Sequence, residues 1–356
     1  MTTTVKGKDI DGKMVVLKRT QPEQLTLFQA FPELEEEHCY SNTIDLYDLM
    51  PKYVASQHKI DAIRKEGKSL EIMVRRFTHR NQEYRLEITP AKILTKDEKT
   101  KEFYPTEREQ LVEEALRRIA CSFENGYYLN DKAGVQFTLS QLRQELKRMG
   151  HSIHLDSLVE SLKVANKVNV TLSTQDGKTL VSAPVFPVLV KTTRKEWLDN
   201  ANEALCYVQF NPMVTAGIES LSYRQHNYDK FMGYRRQLTR WIHKRIYNLF
   251  TQASALETYT LKASTIIRDS GLVLDAQERN RFVAIEAALT ELQEQRILHE
   301  YKAEKIRQGR KIVDVKYTLV PAGDLIRDTI FGNKRRKMQD GHLALKNAPL
   351  PTRFPL

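Results

Sequence analysis

The chain has 356 residues, of which 41% are hydrophobic and 28% are charged, and its formal net charge is +11. This composition is typical of a folded protein and excludes a wholly disordered one. No apolar run approaches the roughly 18 residues that a membrane-spanning helix needs, and the N-terminus lacks the apolar stretch of a signal peptide. We therefore expect a cytoplasmic protein without a membrane partner. The positive charge favours a polyanionic partner.

Residues 1–40 are predicted to form a flexible N-terminal tail that carries a short apolar peptide. The peptide QLTLF occupies residues 24–28, between Pro22 and Pro32. Prolines on both sides leave no room for a long helix or a central strand. Two interpretations stay open: the peptide is accessible to a partner, or it is an edge strand or loop whose apolar residues cover the first domain.

Residues 41–195 are predicted to form a first domain with the element order of a winged helix. Leucines recur at helical spacing, and a later segment alternates with a period of two. The expected elements are a helix near residues 106–123, a helix from Thr138 to Gly150 with a capping box formed by Thr138 and Gln141, a helix beginning at Leu155, and a hairpin that turns at Asp176 and Gly177.

Residues 196–331 repeat this layout and are predicted to form a second domain. The expected elements are a first helix within residues 233–250, a helix that ends at Gly271, a longer helix that begins near Glu278, and a hairpin with Gln308 and Gly309 at its tip. The predicted fold class is therefore α+β, with two winged-helix domains and flexible tails at both ends. The C-terminal tail, residues 332–356, is basic.

Residues 223–250 form a basic segment, with seven lysines or arginines against the single acid Asp229. Arg236, Arg240 and Lys244 recur every four residues, on the side of the helix opposite its apolar face. Such a run is often a solvated helix face, but the interleaved aromatic residues favour a surface that follows DNA phosphates.

The start of the long helix in the second domain offers side chains that can read bases. Arginine suits guanine and asparagine suits adenine, and the following hairpin is basic. The corresponding helix of the first domain exposes two acids, Asp156 and Glu160, which favours a weaker role there. The predicted DNA-binding residues are Lys163, Lys167, Lys178, Arg235, Arg236, Arg240, Lys244, Arg279, Asn280, Arg281, Lys305, Arg307, Arg310 and Lys311.

Several stretches carry a family resemblance in a consistent order. They are SNTIDLYDLMPKYV, RRFTHRNQEYRLEITPAKI, YPTEREQLVEEALRRIA, and CYVQFNPMV followed by the basic helix that ends in RIYNLF. Between residues 40 and 322 the chain resembles theta-type plasmid replication initiators of the RepA kind, including relatives of the vibrio second-chromosome initiator. The resemblance implies winged helices that bind repeated, double-stranded origin DNA, help to melt an AT-rich segment, and recruit the host helicase and host initiator. The resemblance leaves open whether the protein forms a homodimer.

The peptide QLTLF is similar to the motif by which bacterial polymerases and their associates dock on the DNA sliding clamp. Such a peptide places Leu27 and Phe28 in an apolar pocket, Leu25 beside them, and the Gln24 amide at the pocket edge. The similarity implies the host sliding clamp as a partner.

Cysteines and histidines give little sign of metal or redox chemistry. Cys39, Cys121 and Cys206 are far apart, without CxxC spacing, so we expect three buried thiols, no zinc and no disulfide. His151 and His154 are separated by two residues, whereas nicking initiators and relaxases need two histidines around one hydrophobic residue.

Enzymatic function is not expected. The sequence has no GxxxxGK[ST] phosphate loop, and we predict no catalytic residue, cofactor or metal. Two alternatives remain: a winged-helix transcription regulator, and, from another class, a DNA nicking or strand-transfer enzyme.

Overall fold

The computed structural model describes residues 4–9, 12–20, 40–94, 98–121, 125–191, 205–220, 222–274 and 276–347. The peptide at residues 24–28 and Cys39 lie outside these ranges, so the predictions made for them stay predictions. Helices alternate with antiparallel strand pairs in the described residues, in agreement with the predicted α+β class. We call residues 40–191 the first unit and residues 222–347 the second unit.

The N-terminal part and the first unit contain five helices and twelve strands among the described residues. The helices are α1 (Asp45–Leu49), α2 (Gln57–Lys65), α3 (Glu107–Ala120), α4 (Leu139–Arg148) and α5 (Leu155–Lys167). The strands are β1 (Thr4–Asp9), β2 (Met14–Thr20), β3 (Tyr40–Ile44), β4 (Met73–His79), β5 (Gln82–Thr89), β6 (Ala91–Leu94), β7 (Thr100–Phe103), β8 (Gly126–Leu129), β9 (Lys132–Thr138), β10 (Asn169–Thr174), β11 (Thr179–Pro184) and β12 (Val188–Lys191).

The rest of the chain follows with β13 (Leu205–Gln209) and α6 (Pro212–Glu219), and then the second unit. The helices of the second unit are α7 (Tyr228–Gly233), α8 (Gln237–Leu249), α9 (Ala263–Ser270), α10 (Glu278–Glu294) and α11 (Gly323–Asn347). Its strands are β14 (Tyr223–Asn227), β15 (Tyr259–Lys262), β16 (Leu298–Gln308) and β17 (Lys311–Pro321).

Six strands close into a barrel in the order β1-β12-β13-β9-β8-β2. Gly134 of β9 is required there, because a Cβ at this position would lie 2.1 Å from the hydroxyl of Tyr207 on β13. Strands β1 and β2 fall within the predicted flexible tail, so that prediction is wrong for these strands. The predicted boundary at residues 195/196 falls between β12 and β13, which pair with each other.

A four-stranded sheet in the order β11-β10-β5-β4 extends the first unit. The hairpin β10–β11 turns where the sequence predicted, and Gly177 has φ +85°, a left-handed conformation that glycine adopts without strain. Strand β3 of the first unit pairs with β14 of the second. The two units are therefore joined by a sheet as well as by the chain.

The second unit has the element order predicted for it. Helix α9 ends at Gly271, which adopts the left-handed conformation with φ +66°. Strands β15, β17 and β16 form a three-stranded sheet in that order. Helix α11 continues to Asn347, so residues 332–347 are helical where the sequence predicted a flexible tail.

Side-chain caps fix where α3 and α4 begin. The Thr106 hydroxyl and the Glu109 carboxylate form a capping box at the start of α3. The Thr138 hydroxyl accepts a 3.0 Å hydrogen bond from the Gln141 backbone nitrogen at the start of α4, which is one of the two bonds of the predicted capping box.

Buried apolar side chains from both units form one continuous cluster. Cys121 and Cys206 belong to it as thiols, in agreement with the prediction that they are buried. Burial also raises the pKa of Cys206 to about 11. The shared core means that the two units pack as one body.

Candidate nucleic-acid interface

The hairpin β16–β17 carries a dense group of exposed cations. Both strands have eleven residues, and the tip is formed by Gly309, with φ +60°, and its neighbours. Residues 302–311 are all exposed. The cations among them are Lys302, Lys305, Arg307, Arg310 and Lys311, of which the last four were predicted as DNA-binding residues.

The start of α10 lies beside this hairpin. Lys311 Nζ is 3.4 Å from Glu278 Oε2 in the first turn of α10. Asp314 of β17 also accepts bonds from the Ser264 backbone nitrogen (2.9 Å) and hydroxyl (2.6 Å) at the start of α9. Hairpin, α9 and α10 are thus tied into one surface, on which Arg279 and Asn280 are exposed as predicted.

Arg281 is engaged differently from its neighbours. Its guanidinium donates to the carbonyl oxygen of Ala276 at 2.7 Å and to that of Leu274. Both carbonyls belong to the turn between α9 and α10. Arg281 therefore stabilises this turn in the structure, which corrects its predicted role as a base-reading side chain.

The cations of α8 do not form the exposed stripe that the sequence predicted. Arg240 is 1% exposed and Lys244 is 2% exposed. Arg240 forms an ion pair with Glu107 of α3 and donates to the Tyr234 carbonyl. Burial lowers the pKa of Arg240, and Glu107 opposes that shift. The aromatic residues of the segment are also buried, so the predicted phosphate-following surface along α8 is wrong.

The physical reason is that α8 is covered on both sides. One side packs against α10, and the other faces α1 and α3 of the first unit, whose carboxylates neutralise its cations. Lys244 Nζ lies 3.0 Å from Glu114 Oε2 and 3.4 Å from Asp48 Oδ2. Arg117, with no exposed surface, pairs with Asp48 at 2.6 Å.

The pKa values at this junction follow from burial and charge. Burial raises the pKa of Glu114, while Lys244 and Arg117 oppose that rise. Burial also acts to raise the pKa of Asp48, but Arg117, Lys244 and Lys52 outweigh it and hold that pKa far below its usual range. The cluster therefore binds the two units together through charges that water does not screen.

Arg235 and Arg236 remain at the surface but are paired. Arg235 Nη2 lies 3.2 Å from Glu294 Oε2, and Arg236 Nη1 lies 3.6 Å from Glu291 Oε2. Both glutamates belong to α10. An exposed arginine paired in this way is still able to exchange a carboxylate for a phosphate, since exposed ion pairs contribute little.

The predicted residues of the first unit are dispersed. Lys163 is half-buried in α5, a helix that is largely covered by α3, β6 and β12. Lys167 is exposed at the end of α5, and Lys178 is exposed at the turn of β10–β11. Glu160 pairs with Arg108 at 2.9 Å rather than facing a groove. The exposed start of α5 carries Asp156, where the start of α10 carries Arg279 and Asn280.

A second group of arginines lies outside the predicted DNA-binding residues, together with the carboxylates of Glu83 and Glu87. A groove of about 790 Å³ runs between the outer face of the four-stranded sheet and α9. Arg76 of β4, Arg85 of β5 and Arg268 of α9 line it, with hydroxyls that include those of Thr171 and Ser173. Alternation along β4 and β5 could have placed both sheet arginines on the outer face.

The structure also bears on the alternatives. His151 Nε2 lies 2.7 Å from the Met232 carbonyl oxygen, and His154 is the N-cap of α5. Within the described ranges, no three histidine, cysteine, aspartate or glutamate side chains are grouped so that they could hold a metal ion. Among the helices that the structure describes, none is both long and apolar enough to cross a membrane.

Comparisons with known proteins give similarity at the level of structure alone. No family model matches the chain, and no curated protein matches its sequence. Several solved structures are similar at low identity, and three of them are compared with the chain below. A selenomethionine form of domains 2 and 3 of RctB gives a TM-score of 0.47 at 10% identity, over 78% of this chain and 96% of that one.

A second structure of RctB domains 2 and 3 gives a TM-score of 0.43 at 9% identity, over 74% of this chain and 95% of that one. The Pi initiator protein in complex with iteron DNA gives 0.35 at 12% identity, over 60% of this chain and 92% of that one. Since these TM-scores lie below 0.5, we base the function on the geometry of the site.

Proposed function

We propose that the protein is a cytoplasmic plasmid replication initiator that binds repeated sequences in double-stranded origin DNA. The observation that carries this proposal is the joint surface of α10 and the hairpin β16–β17. Exposed Arg279 and Asn280 at the start of a helix stand beside a hairpin with five exposed cations. A helix start that reads base edges and a basic hairpin that holds phosphates together suit a DNA duplex.

We further interpret both units as winged helices. In the second unit the order α8, β15, α9, α10, β16, β17 and the sheet β15-β17-β16 support this interpretation. In the first unit α3, α4, α5 and the hairpin β10–β11 keep the same order, although the hairpin joins β5, which precedes α3, rather than a strand between α3 and α4. We expect the second unit to recognise the DNA sequence and the first unit to contact mainly the DNA backbone.

The test sorts side chains by the kind of contact they make. The wild-type protein selects a duplex from a random library, and its affinity for that duplex and for an unrelated duplex is then measured across salt concentrations. Arg307→Ala should weaken both and reduce the slope of log affinity against log salt by about 0.9. Arg279→Ala should weaken chiefly the selected duplex, by roughly 1–3 kcal/mol.

Identical behaviour of these two variants would contradict the separate roles of helix and hairpin. Failure of the wild-type protein to enrich any sequence would remove sequence-specific initiation altogether. The selected sequence should recur as tandem repeats beside an AT-rich segment in the plasmid that encodes the chain. A single site beside the gene's own promoter would instead favour the transcription regulator.

The footprint tests whether both units engage one duplex. Two DNA-binding units on one face of the helix should contact successive major grooves, about 10 bp apart, and protect on the order of 20 bp. The groove lined by Arg76, Arg85 and Arg268 offers the first unit a backbone contact next to α9. Protection of a single groove would limit binding to the second unit. A metal-dependent nicking assay on supercoiled DNA tests the enzyme alternative.

We also propose that the peptide at residues 24–28 docks on the host sliding clamp. The host helicase and the host initiator are proposed as further partners, and the protein is able to bind DNA as a monomer or as a homodimer. The support for clamp docking is the sequence QLTLF and its enclosing prolines. A clamp bound at the origin would bring the polymerase to the DNA that the initiator has opened.

A further inference from the structure

Three arginines from separate parts of the chain line one pocket, which we call the arginine pocket. Arg80 comes from the turn between β4 and β5, Arg224 from β14, and Arg336 from α11. The pocket has a volume of about 880 Å³. Asp45 is the one carboxylate among its described lining residues, so the pocket carries an excess of positive charge.

Asp45 is already shared by two groups. Its Oδ2 lies 2.7 Å from Arg80 Nη2 and 3.2 Å from His79 Nε2. It therefore has little capacity to neutralise Arg224. The described partner of Arg224 is instead the neutral amide oxygen of Asn333, at 3.3 Å from both terminal nitrogens.

Arg224 differs in this respect from three buried or half-buried cations elsewhere in the described residues. Arg117 and Arg245 each pair with an aspartate, and Lys244 pairs with a glutamate. Arg224 is half-buried without a carboxylate within ion-pair distance among those residues. Burial lowers the pKa of Arg224, Arg336 and Arg80 lower it further, and Asp45 partly opposes them.

Neutral polar groups complete the lining. The Ser220 and Ser222 hydroxyls lie 2.8 Å apart, and either is able to donate. The ring of His79 is 5% exposed, and its Nδ1 has no hydrogen-bond partner among the described residues. Apolar side chains such as Leu249 and Met213 line the remaining wall. A ligand in this pocket would meet guanidinium donors on several sides and an apolar wall behind them.

We propose that the arginine pocket binds the phosphate groups of a small polyphosphate ligand of the nucleotide class. Guanidinium groups hold phosphate through paired, charge-assisted hydrogen bonds. An anion among three guanidiniums would also relieve their mutual repulsion. The volume lies within the usual range of small-molecule sites, about 300–1,000 Å³. This site is independent of the DNA interface formed by α10 and β16–β17.

The test uses the full chain and calorimetric titration with pyrophosphate and with ATP as probes. Arg224→Gln should weaken binding of either probe by about 10- to 100-fold, because it removes charge-assisted bonds in a partly desolvated position. Arg143→Gln is the matched control, since it removes one exposed positive charge on α4, outside the arginine pocket and outside the residues assigned to DNA binding. It should change the affinity less than about twofold.

A second pocket variant distinguishes a loss of ligand binding from a loss of folding. Arg336→Gln alters an exposed side chain and should also weaken both probes, so it decides the matter if Arg224→Gln lowers the melting temperature without ligand. No measurable binding of either probe to the wild-type protein overturns the proposal. Equal losses in Arg143→Gln and Arg224→Gln overturn it as well, because they indicate a general charge effect.

A titration with duplex DNA distinguishes free nucleotides from DNA as the ligand that supplies the phosphate groups. A short duplex of unrelated sequence is titrated into the same three variants. If Arg224→Gln weakens only the duplex and the wild-type protein does not bind ATP, the pocket is a DNA-backbone contact and the nucleotide proposal is wrong. If ATP binding depends on Arg224 while duplex affinity does not, the proposal is supported even where sequence-specific DNA binding fails.

Discussion

Replacing Lys244 by methionine should destabilise the protein without touching its DNA interface. The ammonium group lies 3.0 Å from Glu114 and 3.4 Å from Asp48, and all three side chains are nearly inaccessible to water. Removing one partner of a buried pair leaves an uncompensated charge and costs about 3–5 kcal/mol. Methionine keeps most of the side-chain volume, so the loss is electrostatic rather than a cavity effect.

The surrounding charges place the expected loss near the lower limit of that range. Arg117 still pairs with Asp48 at 2.6 Å, whereas its distance to Glu114 is 3.7 Å. Glu114 therefore loses its closest cation. Since burial already raises the pKa of Glu114, the variant raises it further, and proton uptake limits the cost. We expect a loss of about 3 kcal/mol near neutral pH.

Chemical denaturation and DNA titration on the same samples provide the assay. The double variant Lys244→Met/Glu114→Gln should recover part of the lost free energy of unfolding, because it removes the orphaned carboxylate. Arg307→Met is the matched exposed control and should leave stability unchanged while it flattens the salt dependence of DNA binding. Unchanged stability of Lys244→Met together with weaker, less salt-dependent DNA binding would refute the buried role of Lys244.

Burial lowers the pKa of His226 and His243 well below the ordinary value, and Lys244 lowers both further. Protonation below about pH 6.5 therefore favours the unfolded chain, and stability falls toward pH 5 by up to about 1.4 kcal/mol per pH unit for each histidine. The variant His226→Gln/His243→Gln should show a smaller drop in the free energy of unfolding between about pH 7.5 and about pH 5.5. Arg281→Ala should lower both thermal stability and DNA affinity, since it frees the turn before α10; affinity loss at unchanged melting temperature would restore a base-reading role. Leu27→Ala/Phe28→Ala should abolish clamp binding in a pull-down and leave DNA affinity and melting temperature intact; a destabilised protein would indicate that these residues belong to the core.

Local patterns in the sequence predicted much of the second unit. Leu289 and Leu292 are three positions apart, a spacing that puts both on one face of α10, and both are fully buried. Gly271 ends α9 in the left-handed conformation. These features depend on residues a few positions apart. The sequence also predicted the exposed cations of the hairpin, because a long hairpin with charged residues on both strands cannot be buried.

Distant pairings could not be predicted in the same way. Arg240 and Lys244 have the spacing of a surface stripe, yet their acidic partners Glu107 and Glu114 lie 133 and 130 positions earlier in the chain. A single sequence does not show which helix will cover another. The barrel contains β1 and β2 for a similar reason, because their partners β12 and β8 are distant in the chain.

The pairing of β3 with β14 has a consequence during synthesis of the protein. Strand β3 is buried along its whole length, but β14 leaves the ribosome about 180 positions later. At roughly 5–20 residues per second, the edge of β3 that awaits β14 stays unpaired for about 10–40 s. An unpaired strand edge is able to pair with a neighbouring nascent chain. Faster translation or chaperone binding to residues 40–44 should therefore raise the yield of soluble protein, most clearly when many ribosomes follow one another on the same message.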